Sequence, residues 1–322
     1  MRGKTIVPKR VAYGCSTLLY LYLTHTGDRD FAFIVDRAYP NKQFHGVDVI
    51  TPDEFLRRRE DDMQVFVFAV SNSSLNGILA FLAMQQFKLG QNAFLYSELL
   101  APSFEQLLEA KLGWKADRQL LQFATAYTLN SRKPVHTTIC GTWLFLEALN
   151  RTRSIAGDVG EVGAFEGGNV LLALQSPVWP KNKNYYMFDS FEGFPELSAA
   201  DPKNFGRGDY HPEHSLEELL IPFSVYPEVR IIKGFVPATF AKVPDGQYSL
   251  VFFDCDLYQA ALDTFEHLWD RVAPGGMMLV HDYFAQPDGF GGVKVATDSF
   301  FADKACRRVN FWQNTMAMLI KP

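Results

Sequence analysis

The chain has 322 residues, 48% of them hydrophobic and 14% aromatic, enough apolar material for a large core and better suited to two domains than to one. A net charge of -5 and a pI near 5.8, without clustered Lys and Arg, argue against a nucleic-acid binder, because neutralising phosphates requires such clusters. Met1-Arg2-Gly3-Lys4 has no signal-peptide core behind it and no apolar run approaches the roughly 18 residues of a membrane span, so no membrane span and a cytoplasmic location are expected.

Residues 1–100 alternate strand and helix signals. A strand at Arg10 to Tyr13 is followed by a helix through Leu18 to Leu23 and a strand at Phe31 to Val35. A helix opened by Thr51, with Glu54 three residues on, leads to the strand Gln64 to Val70, a helix through Leu75 to Phe87 and a strand at Ala93 to Tyr96. Tyr13-Gly14-Cys15-Ser16-Thr17 after the first strand and Asp36 after the second echo a dinucleotide fold, although the full G-x-G-x-x-G pattern is missing. The region resembles truncated Rossmann domains found beside sugar-modifying enzymes, which implies docking of a nucleotide-sugar or a partner; the alternative is a degenerate domain that serves packing or homo-oligomerisation. Residues 101–134 read as a helical connector carrying Leu107, Leu108, Leu112, Leu120, Leu121 and Phe123, and Pro134 breaks it. The helix Trp143 to Leu149 then begins a second domain over 135–322, which closes with an antiparallel hairpin of Val309 to Trp312 and Met316 to Ile320. Cys15, Cys140, Cys255 and Cys306 have no C-x-x-C spacing, so neither a zinc site nor a disulfide framework is expected.

The chemistry lies in the second domain. Asp158-Val159-Gly160-Glu161-Val162-Gly163-Ala164-Phe165-Glu166-Gly167-Gly168-Asn169 reads as a strand delivering an acid, then a glycine-rich turn into the helix Val170 to Leu174, which lets bare backbone approach a ligand. Roughly 25 residues on, the spacing of a ribose-binding acid, Tyr185 to Asp189 ends a second strand and Ser190-Phe191-Glu192-Gly193-Phe194-Pro195 follows. Two further apolar runs stop abruptly at polar groups: Val251-Phe252-Phe253 at Asp254-Cys255-Asp256-Leu257-Tyr258, and Met277 to Val280 at His281-Asp282-Tyr283. Such runs fill buried parallel strands, whose carboxyl ends border the ligand crevice. Three acids and a histidine there are expensive to bury without a cation; the bland alternative is that they cap loops or helices. The strand phase that aims both Asp254 and Asp256 one way turns Cys255 the other way.

Glu161-Val162-Gly163 with Gly167-Gly168, Phe188 to Pro195, Lys233-Gly234-Phe235, Asp254 to Tyr258, Pro274-Gly275-Gly276 and His281-Asp282-Tyr283 resemble, in order, the motifs of the macrocin O-methyltransferase (TylF) family over about residues 135–322. The resemblance implies an α/β fold with a class I methyltransferase sheet, S-adenosylmethionine as methyl donor, Mg²⁺, and the hydroxyl of a sugar or glycoconjugate as acceptor. It implies a cofactor site at Glu161, Gly163, Glu166, Gly167, Gly168, Asn169, Asp189, Ser190, Phe191, Gly234, Phe235 and Asp254. Asp254 and Asp282 match the metal-binding acids and Asp256 the general base. His281 stands where the family has a second aspartate; imidazole suits softer ions than Mg²⁺, so Mn²⁺ or another transition ion is the alternative. Independently of the family, a sugar hydroxyl is a poor nucleophile that a cation activates and a nearby carboxylate deprotonates.

Weaker features have their own expectations. His211 and His214 read as surface histidines in a loop. Glu196 to Gly208 reads either as part of a lid over the acceptor or as a disordered insertion, and Gln286 to Gly292, with Lys294 soon after, either as a flap or as a plain glycine-rich connection. Arg57 to Asp62 reads as a solvated helix end. The expected function is a metal-dependent sugar O-methyltransferase. Its competitors are a non-catalytic nucleotide-binding module of a glycan-assembly complex and an O-methyltransferase acting on a small phenolic diol.

Overall fold

The computed structural model describes residues 8–69, 71–133, 135–284 and 291–322. The Met1 to Lys4 start, Val70, Pro134 and most of the expected flap, residues 286–290, lie outside the described residues. The chain divides into two compact units, Met1–Leu108 and Glu109–Pro322.

In the first unit the elements run β1 (Arg10–Tyr13), α1 (Thr17–Thr26), β2 (Phe33–Val35), β3 (Gln43–Phe44), β4 (Val47–Ile50), α2 (Pro52–Arg58), β5 (Gln64–Val67), α3 (Asn72–Met84) and β6 (Ala93–Leu95). Helix α4 (Tyr96–Leu112) follows, so Tyr96 opens a helix instead of ending a strand. The sheet order is β3-β4-β2-β1-β5-β6, parallel apart from the β3–β4 pair. Val11, Ala12, Ile34, Val35, Val65 and Val67 are fully buried, which is why these strands read as unbroken apolar runs. Thr51 Oγ1 accepts the Glu54 N–H at 3.2 Å, the expected cap of α2. The β3–β4 hairpin turns at His45 and Gly46, both with positive φ. Asp36 folds back onto its own loop: Oδ2 accepts the Cys15 N–H at 2.7 Å and Oδ1 those of Ala38 and Tyr39 at 2.8 and 2.9 Å.

The second unit adds α5 (Arg118–Asn130) and α6 (Ile139–Thr152), then β7 (Asp158–Val162), α7 (Gly168–Gln175), β8 (Tyr185–Asp189), α8 (Leu216–Leu220), β9 (Val229–Lys233), β10 (Tyr248–Phe253), α9 (Tyr258–Leu268), β11 (Val272–Val280), α10 (Gly291–Phe300), β12 (Arg307–Phe311) and β13 (Met316–Ile320). Its sheet order is β12-β13-β11-β10-β7-β8-β9. Strands β7 to β11 are parallel, and β13 runs antiparallel to both β11 and β12, the closing hairpin read from the sequence. The strand order reverses beside β7, and the carboxyl ends of β7 and β10 there border the crevice of an open α/β sheet.

Register does the positioning. Phe253 pairs with Val162 on one side and with Val280 on the other, so the residues that follow, Gly163, Asp254 and His281, emerge side by side. Phe252, Phe253, Val162 and Val280 are fully buried, and a slip of one residue would turn each to the opposite face.

Candidate functional site

The backbone stitches these three strand ends together. Gly163 donates its N–H to the Phe188 carbonyl at 2.9 Å, Asp254 to that of Val162 at 2.8 Å and His281 to that of Phe253 at 3.0 Å. Gly163 has φ +87°, and a Cβ there would meet the Asp254 carbonyl oxygen at 2.1 Å. Only glycine fits a left-handed turn pressed this closely on another backbone. Because β10 ends at Phe253, strand alternation does not govern residues 254–256; Asp256 takes φ +62°, and Cys255 Sγ lies against Gly163. Burial pushes the Cys255 thiol well up, which keeps it neutral.

A cavity of about 320 Å³ opens at this point, lined among others by Gly163, Asp189, Ser190, Gly234, Phe235, Asp254 and Asp256. Its size is that of a small-molecule site. Asp189 is raised by burial against the hydrogen bonds it accepts, from Phe165 N–H to Oδ2 and from Phe191 N–H to Oδ1, both at 2.7 Å. Each oxygen keeps a second lone pair for a ligand hydroxyl. The segment Glu196 to Gly208 is held rather than loose: Asp201 Oδ1 accepts the Tyr258 N–H at 2.7 Å, capping α9, while its Oδ2 takes the Ser198 N–H and O–H. Glu196, Leu197, Ser198 and Asp201 line the same cavity.

Other expected cofactor residues stand behind this wall and do not line the cavity. Glu166 pairs with Lys133 at 3.5 Å, Gly167 packs against Phe223, the Gly168 carbonyl faces the Tyr127 hydroxyl at 3.5 Å, and Phe191 is buried. Glu161 is wholly buried, accepting hydrogen bonds from Asn169 Nδ2 at 2.9 Å and Tyr185 O–H at 2.8 Å.

That burial pushes the Glu161 carboxyl up to about 8 from an ordinary 4.5. In the folded chain it holds a proton that the unfolded chain releases, so the folded state loses stability as pH rises from about 4.5 through about 8. Glu161→Gln keeps the shape without the titration. The wild-type unfolding free energy, measured by denaturant against that of the variant, is expected to fall by roughly 4 kcal/mol across this window; a difference independent of pH would contradict it.

Among the described residues one group has metal-ligand character: Asp254, His281 and Asp282 offer ligand atoms within 4.8 Å of one another. His281 Nδ1 lies 2.7 Å from Asp254 Oδ1 and 2.9 Å from Asp282 Oδ2, yet neither ring nitrogen has a partner in hydrogen-bonding geometry. Buried nitrogens without a directed partner, crowded by two carboxylates, are what a cation-binding set looks like without its ion. Burial and the neighbouring Asp282 push Asp256 well up. Asp282 is held down despite its burial, chiefly by the His281 imidazole.

Two residues near the cavity carried no motif. His136 sits ahead of α6, its ring 4.9 Å from that of Phe165, near enough to Asp254, Glu166 and His281 to feel their charge. Tyr210 lies two residues past the expected lid and lines the cavity. His211 and His214 are exposed in a loop, as expected, and Lys294 is engaged by Asp298 and Tyr283.

A parallel sheet closed by an antiparallel strand between its last two members, with a glycine turn after its first strand and an acid after its second, has the class I, Rossmann-like methyltransferase architecture. The macrocin-O-methyltransferase (TylF) family model matches residues 146–308, and the chain belongs to this family. It is 30% identical over 141 residues to the 8-demethyl-8-(2,3-dimethoxy-alpha-L-rhamnosyl)-tetracenomycin-C 4'-O-methyltransferase of Streptomyces olivaceus, covering 40% of this chain and 54% of that one. Over 170 residues it is 25% identical to the mycinamicin III 3''-O-methyltransferase of Micromonospora griseorubida, covering 46% of this chain and 67% of that one. The chain thus spans between half and two thirds of the length of these relatives. A solved structure of the O-methyltransferase NovP is 21% identical and covers 70% of this chain and 99% of that one, with a TM-score of 0.47. Among the described residues no helix is long and apolar enough to cross a membrane.

Proposed function

We propose that this protein transfers the methyl group of S-adenosylmethionine to a hydroxyl of a sugar or glycoconjugate, with a divalent ion held by Asp254, His281 and Asp282. The observation that carries the reading is the convergence of these three side chains beside the cavity that Gly163, Asp189 and Asp256 line. The buried His281 imidazole, crowded by the carboxylates of Asp254 and Asp282 and with Nε2 lacking any partner, fits an ion at this point. When bound, a divalent ion supplies a lowered hydroxyl pKa and a fixed direction for its oxygen. In this reading Asp256, a carboxylate once a cation's charge offsets its burial, would take the hydroxyl proton as general base, with Asp189 holding the donor's ribose and the cavity wall aligning the reacting groups. The relatives' names favour sugar over a small phenolic diol, one of them carrying a rhamnosyl group in its substrate. Docking of a nucleotide-sugar by the first unit has less support, since the full G-x-G-x-x-G pattern is missing there and Asp36 Oδ1 already accepts the N–H groups of Ala38 and Tyr39.

The test is methyl transfer from labelled S-adenosylmethionine to a panel of methyl glycosides and to catechol, with Mg²⁺, Mn²⁺ or EDTA. Label is expected in a glycoside and lost with EDTA; label in catechol alone would move the protein to the phenolic class. The imidazole ligand sets a further expectation. The wild type should prefer Mn²⁺ over Mg²⁺, and His281→Asp, which restores the acid usual in the family, should shift the ratio of the two rates toward Mg²⁺ by roughly tenfold. An unchanged ratio would place His281 outside the ligand set.

A further inference from the structure

We infer that Tyr210 is the acceptor-recognition residue of this site, its ring supplying the face on which the saturated ring of a sugar packs. The inference deepens the proposed function and rests on its sugar acceptor. Tyr210 is 49% exposed and lines the cavity together with Asp254 and Asp256. Its backbone is left-handed, with φ +61°, a conformation that is costly for a bulky side chain and that persists where the surroundings enforce it.

The surroundings do enforce it. The Phe194 ring lies 5.0 Å from the Tyr210 ring and the Phe205 ring 6.1 Å away, edge-on. Phe194 donates its N–H to the Asp209 carbonyl and Gly208 donates to that of Phe194, each at 2.9 Å. With Asp201 fastening the preceding segment to α9, the ring is braced on one side and open on the other. An aromatic ring fixed in this way loses little conformational entropy when a ligand docks on it.

The chemistry suits a pyranose. Tyrosine joins an apolar ring to a hydrogen-bonding tip, and a pyranose joins C–H faces to a rim of hydroxyls. Burial and the charges of Asp256, Asp282 and Asp254 push the phenol well up, so the O–H stays protonated and serves as a donor, not as a second base. The ring takes the C–H face while Asp254 and Asp256, which line the same cavity, receive the hydroxyl to be methylated.

Ligand-observed NMR on protein saturated with S-adenosylhomocysteine tests this, using the same panel of methyl glycosides and catechol. At least one glycoside is expected to bind wild type, with its ring C–H protons shifted by an aromatic ring current. Tyr210→Phe should keep that affinity within about threefold, and Tyr210→Ala should weaken it about tenfold. Tyr210→Asn, which tolerates the left-handed backbone, should behave like Tyr210→Ala, and circular dichroism spectra with a cooperative denaturant transition like that of wild type should confirm the fold of all three. Glycoside binding intact in Tyr210→Ala and Tyr210→Asn would overturn the inference and leave the methyltransferase reading standing. A wild type that binds catechol alone, or no member of the panel, would overturn the sugar-acceptor reading and this inference with it.

Discussion

Asp282→Asn is expected to abolish metal-supported methyl transfer while S-adenosylmethionine still binds within a few-fold of wild type. Among the described residues Asp282 is one of three side chains that converge on the candidate ion site, and it does not line the cavity where the donor is proposed to sit. Losing a group that merely supports a metal ligand typically costs 10- to 100-fold, so losing a ligand should cost more than about 100-fold in metal affinity and in turnover. Asn keeps the volume but removes the negative charge, leaving His281 and Asp254 to hold a divalent cation alone. Mn²⁺ titration by calorimetry, run beside donor titration, checks both halves. Metal affinity within threefold of wild type would remove Asp282 from the ligand set.

Gly163→Ala should damage fold and site together. The added methyl would lie 2.1 Å from the Asp254 carbonyl oxygen, backbone that is hydrogen-bonded into the β7–β10 ladder and has no free rotation with which to yield. Left-handed strain adds to the clash, so a loss of roughly 2–4 kcal/mol in unfolding free energy is expected. Any relaxation moves Asp254 or the turn toward Phe165, so donor affinity should fall by more than tenfold even in folded protein. Denaturant midpoints and donor calorimetry measure the two effects, and a variant matching wild type in both would show that the turn is far looser than its contacts imply.

Much of the site was legible because buried parallel strands write themselves as apolar runs. Val251-Phe252-Phe253 and Met277 to Val280 have no polar residue until Asp254 and His281, so the chemistry falls at the first charge. What the runs do not carry is register. That Gly163, Asp254 and His281 emerge level follows from Phe253 pairing with both Val162 and Val280, a long-range fact absent from local sequence. Strand β9, Val-Arg-Ile-Ile-Lys, went unread because an edge strand with Arg230 and Lys233 lacks the apolar continuity of its neighbours. Hairpin β3–β4 hid behind a His-Gly turn, weaker as a signal than Asn-Gly. The glycine-rich motif read as one cofactor loop, but the fold divides it: Gly163 reaches the cavity, while Glu161, Gly167 and Asn169 brace it from behind. Tyr210 and His136 had no motif at all; their place depends on how the chain after β8 and the chain just before α6 return to the sheet.

The central claim is that the second unit binds a methyl donor beside a divalent-ion site, and calorimetric titration of the purified chain with S-adenosylmethionine, with and without Mn²⁺, tests it most directly. One donor per chain is expected, with micromolar affinity of the kind that corresponds to about -8 kcal/mol, weakened more than tenfold in Asp189→Ala. Folded protein that takes up no donor under any metal condition would contradict the account and favour a non-catalytic module.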